Sequence, residues 1–293
     1  MKYEIEKLPK KTYKLKITIE AEKVKETHNH VISETAKATE VPGFRKGSAP
    51  INLVEPQLDK AKIRGEVVNH LVPPAYDQAI KESLIKPILL PKIEIVKFEE
   101  GKDLVFEATT CEAPEIILGS YRDEIAKLKT QNSKQILGAD GQPAGEPQAK
   151  SGTDPEQERI SKVLDCLLES STVEISDLLI EEEVNHMLGR LVDQTGRLGI
   201  TVDQYLASIS KDVQTLKNEY KSAAEKSLKL EFLLVEVAKN ENLKVDENEV
   251  SATINVAPDE ESRKSLSDPA NQTYLRSVLL KNKTAQKLLE YLK

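Results

Sequence analysis

Tryptophan is absent from this 293-residue chain, and aromatic residues make up only 4% of it. Pockets that hold a large flat cofactor are lined mostly by apolar and aromatic side chains. A composition so poor in aromatic residues therefore argues against a pocket of that kind. We predict that the protein uses no bound cofactor.

Cysteine and long apolar runs are also scarce. The two cysteines, Cys111 and Cys166, are too few for a disulfide framework in a chain of this length, which indicates a reducing compartment. No apolar run approaches the roughly 20 residues of a membrane-spanning helix. Residues 1–7 lack the apolar core of a secretory signal. These absences predict a cytosolic protein that has no membrane partner.

The usual motifs of catalytic, nucleotide and metal sites are missing as well. The chain has neither a Walker sequence nor a Gly-x-Gly-x-x-Gly turn. His28 and His30 point to different sides of a predicted helix and cannot form a metal clip. Glu183 and His186 form one Glu-x-x-His pair, whereas a di-iron bundle needs two such pairs and further carboxylates. We predict no metal site and no catalytic residue.

Residues 1–112 alternate between short strands and helices. Apolar residues recur at every second position from Tyr13 to Ile19, which is the period of a half-buried strand. Further strands are predicted at the start of the chain, at 93–98 and at 104–111, and helices at 21–40, 51–71 and 74–84. This order predicts an α+β fold in which helices cover one face of a four-stranded antiparallel sheet.

From residue 113 onward the pattern changes twice. Pro114, Gly119 and a mixed apolar set favour an extended arm over 113–130, and a Gly- and Pro-rich composition favours a flexible linker over 131–155. Helical periodicity then predicts an all-α domain over 156–293, with long helices near 154–170, 177–198, 212–240 and 269–292. Capping boxes are predicted at Thr201 and Asp246.

The most informative segment is the octet Gly43-Phe44-Arg45-Lys46-Gly47-Ser48-Ala49-Pro50. Two glycines permit a tight exposed loop that presents one ring and two cations. An exposed phenylalanine is favourable only if a partner buries it. Arginine and lysine suit a partner surface of phosphates and acidic side chains. The octet therefore indicates a docking loop.

The octet also resembles the ribosome-docking signature G-F-R-x-G-x-x-P of the trigger factor family of bacterial chaperones. Every fixed position is present, and the surrounding order of elements is similar to that of the family. The resemblance implies that Gly43, Phe44, Arg45, Lys46 and Gly47 bind the ribosome and that 1–112 is the ribosome-binding domain. It identifies 156–293 as the helical chaperone domain.

The resemblance further implies an ATP-independent chaperone that docks beside the exit tunnel and shields nascent polypeptides. The implied partners are the large ribosomal subunit, through ribosomal protein and rRNA, and unfolded chains. Family members also carry a peptidyl-prolyl isomerase domain after the arm, but here the linker 131–155 stands in its place and is too short for a domain. We therefore expect a chaperone that is not an enzyme.

The distribution of charge leaves an alternative open. Residues 1–112 carry 19 basic and 18 acidic residues, whereas 113–293 carry 23 and 31, so the first part is the better side for an anionic partner. The excess of one positive charge is small. The alternative is a ribosome-independent holdase or assembly factor that works as a homodimer, in which the loop contacts a second copy.

Overall fold

A computed structural model of the chain describes residues 1–38, 58–99, 101–135 and 155–292. The chain divides into two compact units, Met1–Ala113 and Pro114–Lys293. The division falls one residue from the boundary that the sequence predicts at 112. The docking octet and most of the predicted linker lie outside the described residues.

The first unit is built on a four-stranded antiparallel sheet. Its strands are β1 (Lys2–Leu8), β2 (Thr12–Ile19), β3 (Lys92–Lys97) and β4 (Leu104–Cys111), in the spatial order β1-β2-β4-β3. Lys10 and Lys11 both take the left-handed conformation in the turn that joins β1 to β2. This α+β arrangement confirms the predicted fold class.

Two helices lie on one face of this sheet, α1 (Ala21–Ala38) and α2 (Lys60–Ser83). The sequence prediction of two separate helices over 51–71 and 74–84 is wrong, because α2 runs without a break through Pro73 and Pro74. Two prolines cost the helix two backbone hydrogen bonds. Buried side chains on both sides of them, including Leu71 and Tyr76, pack into the same core and outweigh that loss.

The second unit consists of helices joined by one small strand pair. The strands are β5 (Ile116–Ile117) and β6 (Thr172–Val173). The helices are α3 (Tyr121–Gln135), α4 (Pro155–Ser170), α5 (Asp177–Arg197), α6 (Val202–Ser208), α7 (Val213–Asn240), α8 (Glu247–Asn255), α9 (Glu260–Leu266) and α10 (Pro269–Glu290). The capping boxes predicted at Thr201 and Asp246 are confirmed, whereas α9 and the strand pair were not predicted.

The predicted arm and linker need correction. Residues 113–130 are not extended throughout, because a helix begins at Tyr121, and residues 131–135 belong to this helix rather than to a linker. Tyr121, Ile125 and Leu128 stand at i, i+4 and i+7, a helical spacing that the nearby Pro114 and Gly119 obscured. Tyr121 and Ile125 are buried among the helices of the second unit. The predicted arm therefore packs as part of the helical unit.

Candidate functional site

The predicted docking residues Gly43, Phe44, Arg45, Lys46 and Gly47 lie outside the described residues. The structure does describe the two helices that flank these residues in the sequence. Helix α1 ends at Ala38, and α2 begins at Lys60. The octet therefore stands in a connection between two helices of one domain.

Both ends of that connection are fixed to the core of the first unit. Val31 and Ala36 of α1 are buried in the core, and Leu58 packs against it just before α2. Asp59 caps α2, because its carboxylate accepts a hydrogen bond of 2.9 Å from the backbone N–H of Ala61. Substitutions within the octet therefore leave these packed residues on either side of it unchanged.

In the second unit, a polar cluster fastens the start of α3 to the ends of two other helices. One carboxylate oxygen of Glu241 accepts hydrogen bonds from the Tyr121 hydroxyl (2.6 Å), the Arg122 Nε–H (2.9 Å) and the Tyr291 hydroxyl (2.9 Å). Asn240 accepts a second bond from the Arg122 guanidinium at 2.9 Å. The cluster joins chain segments that are more than a hundred residues apart in sequence.

The pKa shifts in this cluster are those expected of a stabilising contact rather than of a catalytic group. Burial, together with the hydrogen bond to Glu241, raises the pKa of Tyr121 to about 12. Burial also pushes the pKa of Glu241 upward, but hydrogen bonds from Tyr121, Arg122 and Tyr291 outweigh it and hold that pKa below its ordinary value. Glu241 is therefore a carboxylate and the tyrosines are neutral donors at neutral pH, so no proton is poised for transfer.

We predict that Glu241→Gln lowers the stability of the helical unit by about 2 kcal/mol at pH 7, since charge-assisted hydrogen bonds become neutral ones. A carboxyl whose folded-state pKa is depressed contributes stability that is fully present above its ordinary pKa and is lost as the pH falls through the folded-state value. The difference between parent and variant should therefore shrink below pH 4.5. Urea unfolding at several pH values measures both effects.

Glu236→Gln is the matched control, because Glu236 forms an i,i+3 ion pair with the exposed Lys239 on the same helix. It should change the stability by less than about 0.5 kcal/mol at any pH. Equal losses in the two variants would contradict the role assigned to Glu241.

A shallow concavity of about 900 Å³ lies between α8 and α9. Its exposed lining is largely apolar, with Ala252, Val256, Ala257, Pro258 and Leu266, and the polar residues Thr253, Glu261, Ser262 and Ser265 complete it. The Val256 side chain is 83% exposed. An apolar hollow that stays open to solvent is a surface on which another apolar side chain can be buried.

A second exposed apolar surface follows the connections between α5, α6 and α7. Leu198 is 72% exposed, and Val192 and Val213 are more than half exposed. They flank a small buried cluster made by Leu191, Leu206 and Leu216, which holds the three helices together. This part of the unit thus has a small core of its own, and apolar side chains beside that core are exposed to solvent.

The rest of the described chain offers no convergent catalytic set. Among residues 1–38, 58–99, 101–135 and 155–292, no group of three or more His, Cys, Asp or Glu is arranged to hold a metal ion. Burial raises the pKa of the Cys166 thiol, which disfavours the reactive thiolate. Within the same ranges, no helix combines the length and the apolar character needed to cross a membrane.

Sequence reasoning missed the two exposed apolar surfaces. Val256, Ala257 and Pro258 are consecutive small apolar residues just after a predicted helix start, and such a run outside any helical stripe was the available signal. Leu198 entered the sequence analysis only as the last residue of the helix predicted over 177–198. Whether such a residue is covered depends on which helices pack against it, and periodicity does not give that.

Two family models match the chain. The model described as "Bacterial trigger factor protein (TF)" matches residues 1–137, and the model described as "Bacterial trigger factor protein (TF) C-terminus" matches residues 145–290. Only residues 138–144 lie between the two matched regions. The two models together account for both structural units.

Curated relatives and a solved structure agree with these models. The trigger factor of Desulforamulus reducens is 40% identical over 132 residues, which are 45% of this chain and 30% of that protein. The trigger factor of Moorella thermoacetica is 39% identical over 121 residues, 41% of this chain and 27% of that protein. The chain thus matches about a third of the length of these relatives.

The solved structure comes from work on "Promiscuous Substrate Recognition in Folding and Assembly Activities of the Trigger Factor Chaperone". Its TM-score is 0.64 at 15% identity, with 99% of this chain and 100% of that chain covered. At this identity the likeness concerns the fold alone, and it extends over both units described above.

Proposed function

The chain belongs to the trigger factor family, and on that premise we propose that it is an ATP-independent chaperone that docks at the ribosomal exit tunnel and shields nascent polypeptides. The observation that carries the proposal is the apolar surface left in solvent on the helical unit, around Val256 and around Leu198. Such surface is costly for an isolated protein and useful to one that covers the apolar segments of another.

The shape of these surfaces fits brief binding of many different clients. The concavity beside Val256 is open to solvent, and Leu198 is largely exposed. Each client side chain that is fully buried there contributes about 1.5–3 kcal/mol. Binding at one surface is therefore weak and reversible, and several weak contacts on one client add through their high local concentration.

Docking is assigned to the octet in the first unit. Phe44 supplies an apolar anchor, and Arg45 and Lys46 supply contacts to phosphates or acidic side chains of the large subunit. The anchored helices on both sides support this assignment, since they fix the ends of the connection that holds the octet. A chaperone that works at the ribosome acts in the cytoplasm, and two cysteines that form no disulfide agree with a reducing compartment.

We predict that Val256→Ser and Leu198→Ser each weaken the suppression of client aggregation without loss of stability. Each change removes an exposed aliphatic group, at a cost of about 1 kcal/mol or roughly fivefold in client affinity. The folded state should lose less than about 0.5 kcal/mol, because both side chains are mostly in solvent. Light scattering of a chemically unfolded client, titrated with the full chain and no ATP, measures the effect.

Leu90→Ser is the matched control for these two variants. Leu90 is 88% exposed and belongs to the first unit, whereas both apolar surfaces belong to the second. It should leave aggregation suppression unchanged. If Leu90→Ser impairs suppression as much as Val256→Ser does, client binding is not localised on the helical unit.

We further propose that the chain lacks peptidyl-prolyl isomerase activity, because residues 138–144 between the matched regions cannot hold a domain. The expected result is no acceleration of cis–trans exchange in a proline tetrapeptide, with a known prolyl isomerase at equal concentration as the positive control. Acceleration proportional to chain concentration would show a catalytic site on the units themselves.

A further inference from the structure

Two histidines that are far apart in sequence come together on the surface of the first unit. His30 lies on α1 and His70 on α2, and their ring centroids are 6.4 Å apart with the planes at 80°. Both side chains are exposed. We propose that they form a two-histidine site for a divalent transition-metal ion such as Zn²⁺, Ni²⁺ or Cu²⁺.

The spacing of the rings suits a shared ion. A Zn–N bond is about 2.0–2.1 Å long and a ring nitrogen lies about 1.2 Å from the ring centre, so two imidazoles on one ion have centroids from roughly 4.5 Å apart at a 90° N–metal–N angle to roughly 6.4 Å apart when they are trans, with about 5.2 Å at the tetrahedral angle. The observed separation lies at the upper end of that range. Exposed side chains can close the remaining distance by small rotations, since nothing buries them. Imidazole nitrogen is a ligand that Zn²⁺, Ni²⁺ and Cu²⁺ favour, unlike Mg²⁺ or Ca²⁺.

A carboxylate is also placed where it can orient one of the ligands. The Nδ1 atom of His30 lies 3.7 Å from a carboxylate oxygen of Glu34, one turn further along the same helix. A small rotation brings this carboxylate within hydrogen-bond distance of Nδ1, which is the arrangement in which Nε2 of His30 binds the metal. Water fills the remaining coordination positions, since the two imidazoles are the protein ligands.

Because of where the two histidines lie, metal binding at this site should stabilise the first unit. Helices α1 and α2 are the two that flank residues 39–57, which include the docking octet. An ion shared by His30 and His70 cross-links these helices in the folded state only. At a free metal concentration a hundredfold above the dissociation constant, it should lower the unfolding equilibrium constant of the unit about a hundredfold.

The test is metal titration of the tag-free full chain after chelator treatment. Isothermal titration with ZnCl₂ or NiCl₂ should show one site per chain, and Cu²⁺ electron paramagnetic resonance should show two equatorial imidazole nitrogens. His30→Ala and His70→Ala should each abolish the site. Glu34→Gln should keep the site but weaken its affinity by about tenfold.

His186→Ala is the matched control, because His186 is exposed to a similar degree and its Nδ1 also lies 3.7 Å from a carboxylate, that of Glu183. It lacks the second histidine of the proposed site, so its loss should leave metal binding unchanged. The proposal is wrong if the parent binds these ions no more tightly than the His30→Ala/His70→Ala variant. Retention of the site in His70→Ala, or a single nitrogen in the Cu²⁺ spectrum, would equally overturn it.

Discussion

Replacement of Phe44, Arg45 and Lys46 together by alanine is expected to abolish ribosome association and to leave the fold of both units unchanged. The triple variant removes one buried anchor and two charge contacts from the proposed interface. Their combined loss should cost on the order of 3 kcal/mol or more, which is over a hundredfold in affinity. The fold should survive because Ala36 and Leu58, on either side of the octet, keep their places in the core.

Co-sedimentation with ribosomes through a sucrose cushion at physiological salt measures this loss. Leu84→Ala/Lys81→Ala/Lys86→Ala is the matched control, since it also removes one apolar and two cationic side chains that are exposed in the first unit. The control should sediment with ribosomes as the parent does. Equal sedimentation of the octet variant and the parent would mean that the octet is not the anchor.

Salt dependence can separate the two kinds of contact within the octet. Arg45→Ala/Lys46→Ala should weaken binding and also flatten its dependence on salt, since fewer ion contacts are formed. Phe44→Ala should weaken binding by a similar factor at every salt concentration, because burial of its ring involves no charge. If the partner surface recognises only charge, Phe44→Ala should bind the ribosome as tightly as the parent does.

The features that sequence predicted correctly are those decided by neighbours in the chain. The strand alternation from Tyr13 to Ile19 and the capping boxes at Thr201 and Asp246 each depend on residues a few positions apart, and each is found in the structure. The continuous helix through Pro73 and Pro74 was missed because it is stabilised by packing against a sheet formed by distant segments. Local propensity alone favours a break there.

The candidate sites also divide into one that a sequence motif predicts and others that only the structure shows. The octet was found because a contiguous motif carries it, and it remains a prediction because it lies outside the described residues. The concavity beside Val256 needs two helices to be placed side by side, and the His30–His70 pair needs residues forty positions apart to meet. The apolar run at 256–258 marks the first of these in the sequence, but the concavity and the histidine pair themselves appear only when the helices are packed in three dimensions.

Gly119 lies between β5 and the start of α3, where the chain passes close to the backbone of Ser170. A Cβ atom at this position would lie 1.9 Å from the backbone carbonyl oxygen of Ser170, closer than any real contact. Gly119→Ala must therefore push the strand pair Ile116–Ile117 and Thr172–Val173 apart and disturb the burial of Tyr121. We expect a loss of about 1–3 kcal/mol or more from the helical unit, as for other overpacking changes.

Gly189→Ala is the matched control in the same unit, because Gly189 lies inside α5 and, apart from its chain neighbours and the nearby backbone of that helix, no atom stands within 4 Å of its would-be Cβ. The same chemical change there should stabilise the unit by up to about 1 kcal/mol, since alanine is the better helix former. Urea unfolding followed by circular dichroism gives both values, and hydrogen exchange over residues 114–135 should rise only in Gly119→Ala. If Gly119→Ala is as stable as the parent, this segment does not pack against Ser170 as described.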